Sequence, residues 1–156
     1  MRWAPLLPAA IAAALLLAGC TPTVSLNPAP EATSVGCAGV VVRLPDRVAG
    51  AARRTTDAQG TAAWGTPASV TLRCGVAVPV TTDCTTIDGV DWLTQYRSID
   101  DRDWLVYTTY GRSPATQLLV DRDGVIADTV LTALSDPIAA ATSSTGVRCP
   151  SGSEAS

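Results

Sequence analysis

Val70, Leu72, Cys74, Val76 and Val78 alternate with Ser69, Thr71, Arg73, Gly75 and Ala77. A period of two puts each set on one face of a half-buried strand. That phase turns Cys74 inward and Arg73 outward. Similar patterns predict strands over 90–97, 104–110 and 115–120. Val90, Trp92 and Tyr96 share one face of the first of these. In the second, Trp104, Val106, Thr108 and Tyr110 oppose Leu105 and Tyr107. Asp88-Gly89, the acidic run Asp100-Asp101-Arg102-Asp103 and Gly111 with Pro114 supply turn chemistry between them. Short connections favour antiparallel neighbours, so the pattern predicts a four-stranded meander.

A longer period appears at both ends. Ile126, Val130, Leu134, Ile138 and Ala141 mark one face of an amphipathic helix. Asp136-Pro137 within it reads either as an interruption or as the start of a second, consecutive helix. Near the other end, Val40, Val41, Val42, Leu44 and Val48 are apolar and mostly β-branched, which suits a strand. The spacing 37, 41, 44, 48 suits one helical face, and Pro45 limits any helix to a short one. Helix is favoured there, with strand as the alternative. Residues 50–65 are largely polar, contain Arg53 and Arg54, and read as a long loop. The fold class expected is α+β: two layers, a four-stranded antiparallel meander covered on one face by N- and C-terminal helices, and two disulfides.

Before this pattern begins, the composition is different. A short positive start, Met1-Arg2-Trp3, precedes an apolar stretch that ends in Leu17-Ala18-Gly19-Cys20. A short apolar segment before small residues marks a secretory signal rather than a membrane span. Cys directly after Leu-Ala-Gly resembles the lipobox of bacterial lipoproteins. Residues 1–19 are therefore expected to be a lipoprotein signal peptide. Cys20 is expected to carry a diacylglyceryl thioether, with the further acyl chain that stable anchoring needs. Residues 20–36 are rich in Pro, Ser, Thr and Ala, and read as a flexible tether. The globular domain is expected over 37–149, followed by a loose tail at 150–156.

Setting Cys20 aside leaves Cys37, Cys74, Cys84 and Cys149. An even number in an exported chain reads as two disulfides. No Cys-x-x-Cys pair is present to make a four-thiolate zinc site or a redox dithiol. Three pairings are open. Cys74–Cys84, closing a short loop around Pro79, with Cys37–Cys149 joining the ends of the domain, is the favoured one.

Composition narrows the chemistry. The chain has 156 residues, 11 Arg and no Lys, no His, and a formal net charge of −3. Without His there is no Ser-His-Asp triad, Cys-His dyad or His-ligated metal; without Lys there is no Schiff base and no P-loop. A net negative chain without Lys lacks the basic footprint of a nucleic-acid binder. No cofactor is implied.

Cys37, Leu44-Pro45, Gly50, Arg53-Arg54, Ala63-Trp64-Gly65 with Pro67, Leu72-Arg73-Cys74-Gly75-Val76, Pro79, Gly89-Val90 with Trp92, and Thr109-Tyr110-Gly111-Arg112 with Pro114 form an ordered series. The series resembles a family of short actinobacterial envelope proteins, a domain of unknown function, many of them with a lipoprotein or membrane-anchored start. The resemblance implies export. It brings no activity, so it assigns no catalytic residue.

Candidate sites follow from residue chemistry. Arg53, Arg54, Arg73 and Arg112 are candidates for an anion surface, because guanidinium forks suit phosphate and carboxylate groups. Trp64 and Trp92 are candidates for stacking on a sugar or peptide, against core packing as the competing explanation. Asp100, Asp101 and Asp103, or Asp121-Arg122-Asp123-Gly124, have calcium-ligand chemistry, but the twelfth position counted from Asp121 is Thr132 rather than Glu, and hairpin-turn chemistry explains them better. Asp91 with Asp103 is the candidate carboxylate pair for hydrolysis. The function expected is a lipid-anchored, extracytoplasmic cell-envelope protein, a non-catalytic binding or accessory module for an envelope protein or glycan. A small carboxylate-dependent hydrolase acting on envelope polymers is the alternative.

Overall fold

The computed structural model describes residues 22–150. The segment expected to be a signal peptide, the expected lipidation site Cys20 and residues 151–156 fall outside the described residues. The elements in order are α1 (Val35–Arg43), β1 (Arg47–Val48), β2 (Ala51–Arg54), β3 (Thr61–Trp64), β4 (Val70–Cys74), β5 (Cys84–Ile87), β6 (Val90–Ile99), β7 (Arg102–Tyr110), β8 (Arg112–Ser113), β9 (Thr116–Asp121), α2 (Ala127–Ala141) and β10 (Ser143–Ser144).

The expected four-stranded meander is not what forms. Eight strands make one antiparallel sheet in the order β1-β2-β3-β4-β9-β7-β6-β5, and β8 pairs with β10 beside it. It consists of two meanders joined edge to edge. β4 pairs with β9, from Val70 opposite Val120 to Cys74 opposite Thr116, rather than with β6. Part of the difference lies at 50–65, where a hairpin of β2 and β3 replaces the expected loop. The period of two is absent there because Thr61, Ala62, Ala63 and Trp64 are all buried, leaving no polar face to alternate. β4 also ends earlier than its pattern suggests. Gly75 leaves the sheet at φ +88°, and Val78 and Val80 are exposed.

α1 starts where Ser34 Oγ accepts the Cys37 amide at 3.3 Å, and ends at Leu44, held extended before Pro45. The helical alternative for this segment is therefore the correct one. α2 runs unbroken through Pro137 instead of splitting in two. It touches α1, and it also reaches β1 at one sheet edge and β5 at the other, so the sheet curls around it. Between them lies one core. Val40 and Leu44 of α1 and Val130, Leu131, Leu134 and Ile138 of α2 meet Trp64, Leu72, Trp92, Tyr107, Leu118 and Val120 of the sheet. With no Phe available, the two Trp supply the large rings. Each has its polar edge satisfied: Trp64 Nε1 donates to the Pro45 carbonyl at 3.0 Å, and Trp92 Nε1 to Ser135 Oγ at 3.3 Å.

Both expected disulfides form, but in another pairing. Cys37 bonds Cys74, and Cys84 bonds Cys149. The favoured Cys74–Cys84 bond is excluded by the sheet order, since three strands separate β4 from β5. Four interstrand spacings place them roughly 19 Å apart. The actual bonds fasten α1 to the end of β4, and the C-terminal segment to the β5 edge.

Three two-residue turns carry positive φ at both positions: Ala49-Gly50, Asp88-Gly89 and Asp100-Asp101. These are the hairpin turns whose twist matches the strands. Asp100 and Asp101 therefore serve the β6–β7 turn. Replacing them together with Asn-Gly is expected to raise stability by about 0.5–1 kcal/mol, read from the urea midpoint.

Residues 22–34, expected to be part of a flexible tether, form a strap against the sheet. The Val24 amide donates to the Thr55 carbonyl at 2.9 Å and the Glu31 amide to the Gly75 carbonyl at 3.1 Å. Arg73 Nε donates to the Asn27 carbonyl at 2.9 Å. Ala29 and Ala32 are buried. The approach is so close that a Cβ on Gly75 would sit 2.4 Å from the Glu31 carbonyl carbon. Pro, Ser and Thr lack a hydrophobic period, but here they lie along a preformed surface and need none of their own. The Asp57 carboxylate accepts the Leu26 amide at 2.9 Å. That bond first, and the Ser25 hydroxyl second, hold its pKa below 3.8. The contribution is therefore complete above that value and is lost as pH falls through the lower folded value. The protection factor of the Leu26 amide should fall on acidification below about pH 4, ahead of those in β4.

Candidate functional site

α1 presents two apolar stripes. Cys37, Val40 and Leu44 enter the core, while Ala38, Val41 and Val42, at i, i+3 and i+4, do not. That second stripe is one wall of a groove of about 930 Å³. The facing wall is the β2–β3 hairpin, with Arg53, Arg54, Thr55, Thr56 and Thr61, and Ala32 of the strap closes one side. Val42 is 77% exposed, so this wall is open to solvent. The charged side chains lining the groove are Arg53 and Arg54.

The four candidate arginines do not converge. Their guanidinium groups are turned onto backbone carbonyls. Arg53 donates from Nη1 to Leu44 at 3.2 Å and from Nη2 to Val41 at 3.1 Å, capping the end of α1. Arg112 Nη1 does the same for α2, reaching Ala139 at 3.2 Å and Thr142 at 3.1 Å. Arg54 donates from Nη1 to Gly65 at 2.7 Å and from Nη2 to Pro22, while Arg73 holds the strap at Asn27. Among the described residues Arg54 Nε is buried without a partner. The fork of Arg53 reaches two carbonyls from separate nitrogens of one plane, a geometry that the single nitrogen of an ammonium group does not reproduce. Arg53→Lys is accordingly expected to lower stability by about 1–2 kcal/mol, visible as an earlier denaturant midpoint with an unchanged slope.

Trp64 is wholly buried and offers no stacking surface, and Trp92 is likewise inside the core. The candidate carboxylate pair is also separated. Asp91 lies opposite Tyr110 and Asp103 opposite Ser98, toward opposite ends of the β6–β7 hairpin. Seven residues of strand put them roughly 23 Å apart. Asp91 instead accepts the Thr86 hydroxyl at 2.6 Å and the Cys149 amide at 3.0 Å, fixing the second disulfide. Asp121 accepts Arg102, whose guanidinium also lies 4.6 Å over Trp104. Among the described residues no group of three or more His, Cys, Asp or Glu is placed to hold a metal, and no helix is long and apolar enough to cross a membrane.

Sequence reasoning named Arg53 and Arg54, which line this groove, but missed its apolar wall. The signal was the run Val40-Val41-Val42, where adjacent apolar residues on one helix must point in different directions.

Comparison with curated proteins and with solved structures finds no match to either. A family model described as "Protein of unknown function (DUF3515)" matches residues 5–146, and the chain belongs to that family.

Proposed function

We propose that this chain is an exported, lipid-anchored protein of the cell envelope that works by binding an envelope component at the outer surface of the membrane. The Leu17-Ala18-Gly19-Cys20 sequence supports the anchor. The two disulfides suit an oxidising compartment. One observation supports the binding role: an open apolar groove lies beside the first described residues after Cys20. Pro22, two residues after Cys20, accepts Arg54, which lines that groove. Two residues reach about 7 Å. A lipid on Cys20 therefore seats the domain against the bilayer, where a free tether of fourteen residues would let it roam up to roughly 45 Å.

The actinobacterial, lipoprotein character of the resembling family agrees with this reading. The hydrolase alternative loses its carboxylate pair, since Asp91 and Asp103 occupy opposite ends of one hairpin. Fractionation of cells tests the proposal. Cys20→Ser should move most of the protein out of the membrane fraction. Undiminished membrane retention would show that Cys20 is not the anchor.

A further inference from the structure

We infer that the groove between α1 and the β2–β3 hairpin takes the acyl chain of an anionic amphiphile drawn from the adjoining membrane surface. This deepens the lipid-anchored reading above and rests on it. The size fits first: about 930 Å³ lies within the 300–1,000 Å³ range of ordinary small-molecule sites. The chemistry fits next. Ala38, Val41 and Val42 offer a continuous apolar wall whose exposure otherwise has no compensation. The opposite wall is amphipathic, with the Thr55, Thr56 and Thr61 hydroxyls beside the aliphatic stems of two arginines.

Charge selects the head group. The chain as a whole carries a formal charge of −3, yet the charged residues lining the groove are Arg53 and Arg54. Both Arg53 terminal nitrogens are committed to the end of α1. Arg54 is committed likewise, through Nη1 to Gly65 and Thr66, so the pair attracts the anionic head through a positive charge that no carboxylate in the groove lining offsets. Location completes the argument, because Arg54 also holds Pro22, the point from which the chain runs toward Cys20. An extended peptide adding to the β2 edge is disfavoured, since Val24 already pairs there with Thr56.

The test uses the full chain carrying Cys20→Ser and the fluorescent fatty acid cis-parinarate as probe. Saturable binding at about one probe per chain is expected. Ala38→Trp fills the groove from an exposed helix position, and should weaken binding about tenfold; Val42→Glu, also exposed, should act in the same direction. Arg54→Gln should weaken it about threefold, while Val147→Trp, at an exposed site outside the groove lining, should leave it unchanged. Phosphatidylglycerol vesicles and free palmitate are then compared as competitors. Stronger competition by the vesicles assigns the amphiphile to the bilayer, and stronger competition by palmitate assigns it to free fatty acid and removes the membrane source. Probe binding indifferent to both Ala38→Trp and Val42→Glu would overturn the site. So would displacement by an extended peptide and by neither amphiphile. Fractionation of the unaltered chain reads the anchor separately. Membrane retention through Cys20 without probe binding overturns the groove alone. Probe binding by a chain that never reaches the membrane overturns the anchor, and with it the bilayer as the source.

Discussion

Replacing Cys37 and Cys74 together with Ala is expected to lower the unfolding free energy by about 4 kcal/mol. The two positions are 37 residues apart in sequence. In the chain-entropy treatment a cross-link of that span removes about 4 kcal/mol of freedom from the unfolded ensemble. The bond also holds α1 to the end of β4, and both sulfurs are completely buried. Small apolar replacements leave no polar group stranded, so the measured loss should come mainly from the missing cross-link. The Cys84–Cys149 bond spans 65 residues, and its removal should cost about as much. It fastens a peripheral segment, and its loss should be accompanied by fraying of residues 143–150. A urea unfolding series reads both. A loss below about 1 kcal/mol for the first pair would show that packing of α1 alone secures the helix. A domain that gives up about 8 kcal/mol when both bonds are absent would be near the limit of ordinary stability. That is the physical reason the compartment matters to this fold.

Trp64→Ala should cost about 3–5 kcal/mol. Trp64 is fully buried at the end of β3, opposite Val70 on one side and Arg53 on the other. Its Nε1–H satisfies the Pro45 carbonyl just beyond α1. Truncation opens a large cavity and leaves that carbonyl without its partner. Trp64→Phe separates the two contributions: most of the ring volume stays, and the expected loss falls to about 1–2 kcal/mol for the missing hydrogen bond. Thermal or urea denaturation of the pair of variants gives the comparison. Equal costs for Ala and Phe would mean that the hydrogen bond, and not the packing, is what the site depends on.

Individual elements were legible where burial has two distinct faces, but the eight-stranded sheet that joins them was not. β9 alternates in burial over Thr116–Leu119, and α2 repeats near every fourth residue, because each has one face on the core, whereas β6 is buried throughout its first four residues. β3 was not legible, since Thr61-Ala62-Ala63-Trp64 is covered on both sides and reads as featureless. The strap was missed because its order comes from partners far away in sequence, at Thr55, Asp57, Arg73 and Gly75, and not from any local period. The disulfide pairing was misjudged for a related reason. Proximity in sequence favoured Cys74 with Cys84, and only the insertion of β9, β7 and β6 between their strands separates them. The candidate site was half visible. The arginine pair stood out in composition, whereas the groove needs the second stripe of α1 to be left over after the first is buried.

Mass spectrometry of the N-terminal peptide of the chain isolated from membranes bears most directly on what the functional reading requires. The expected product begins at Cys20, carries a diacylglyceryl thioether, and has Cys37, Cys74, Cys84 and Cys149 all oxidised. A chain beginning at Met1, with an unmodified Cys20 and four free thiols, would contradict it.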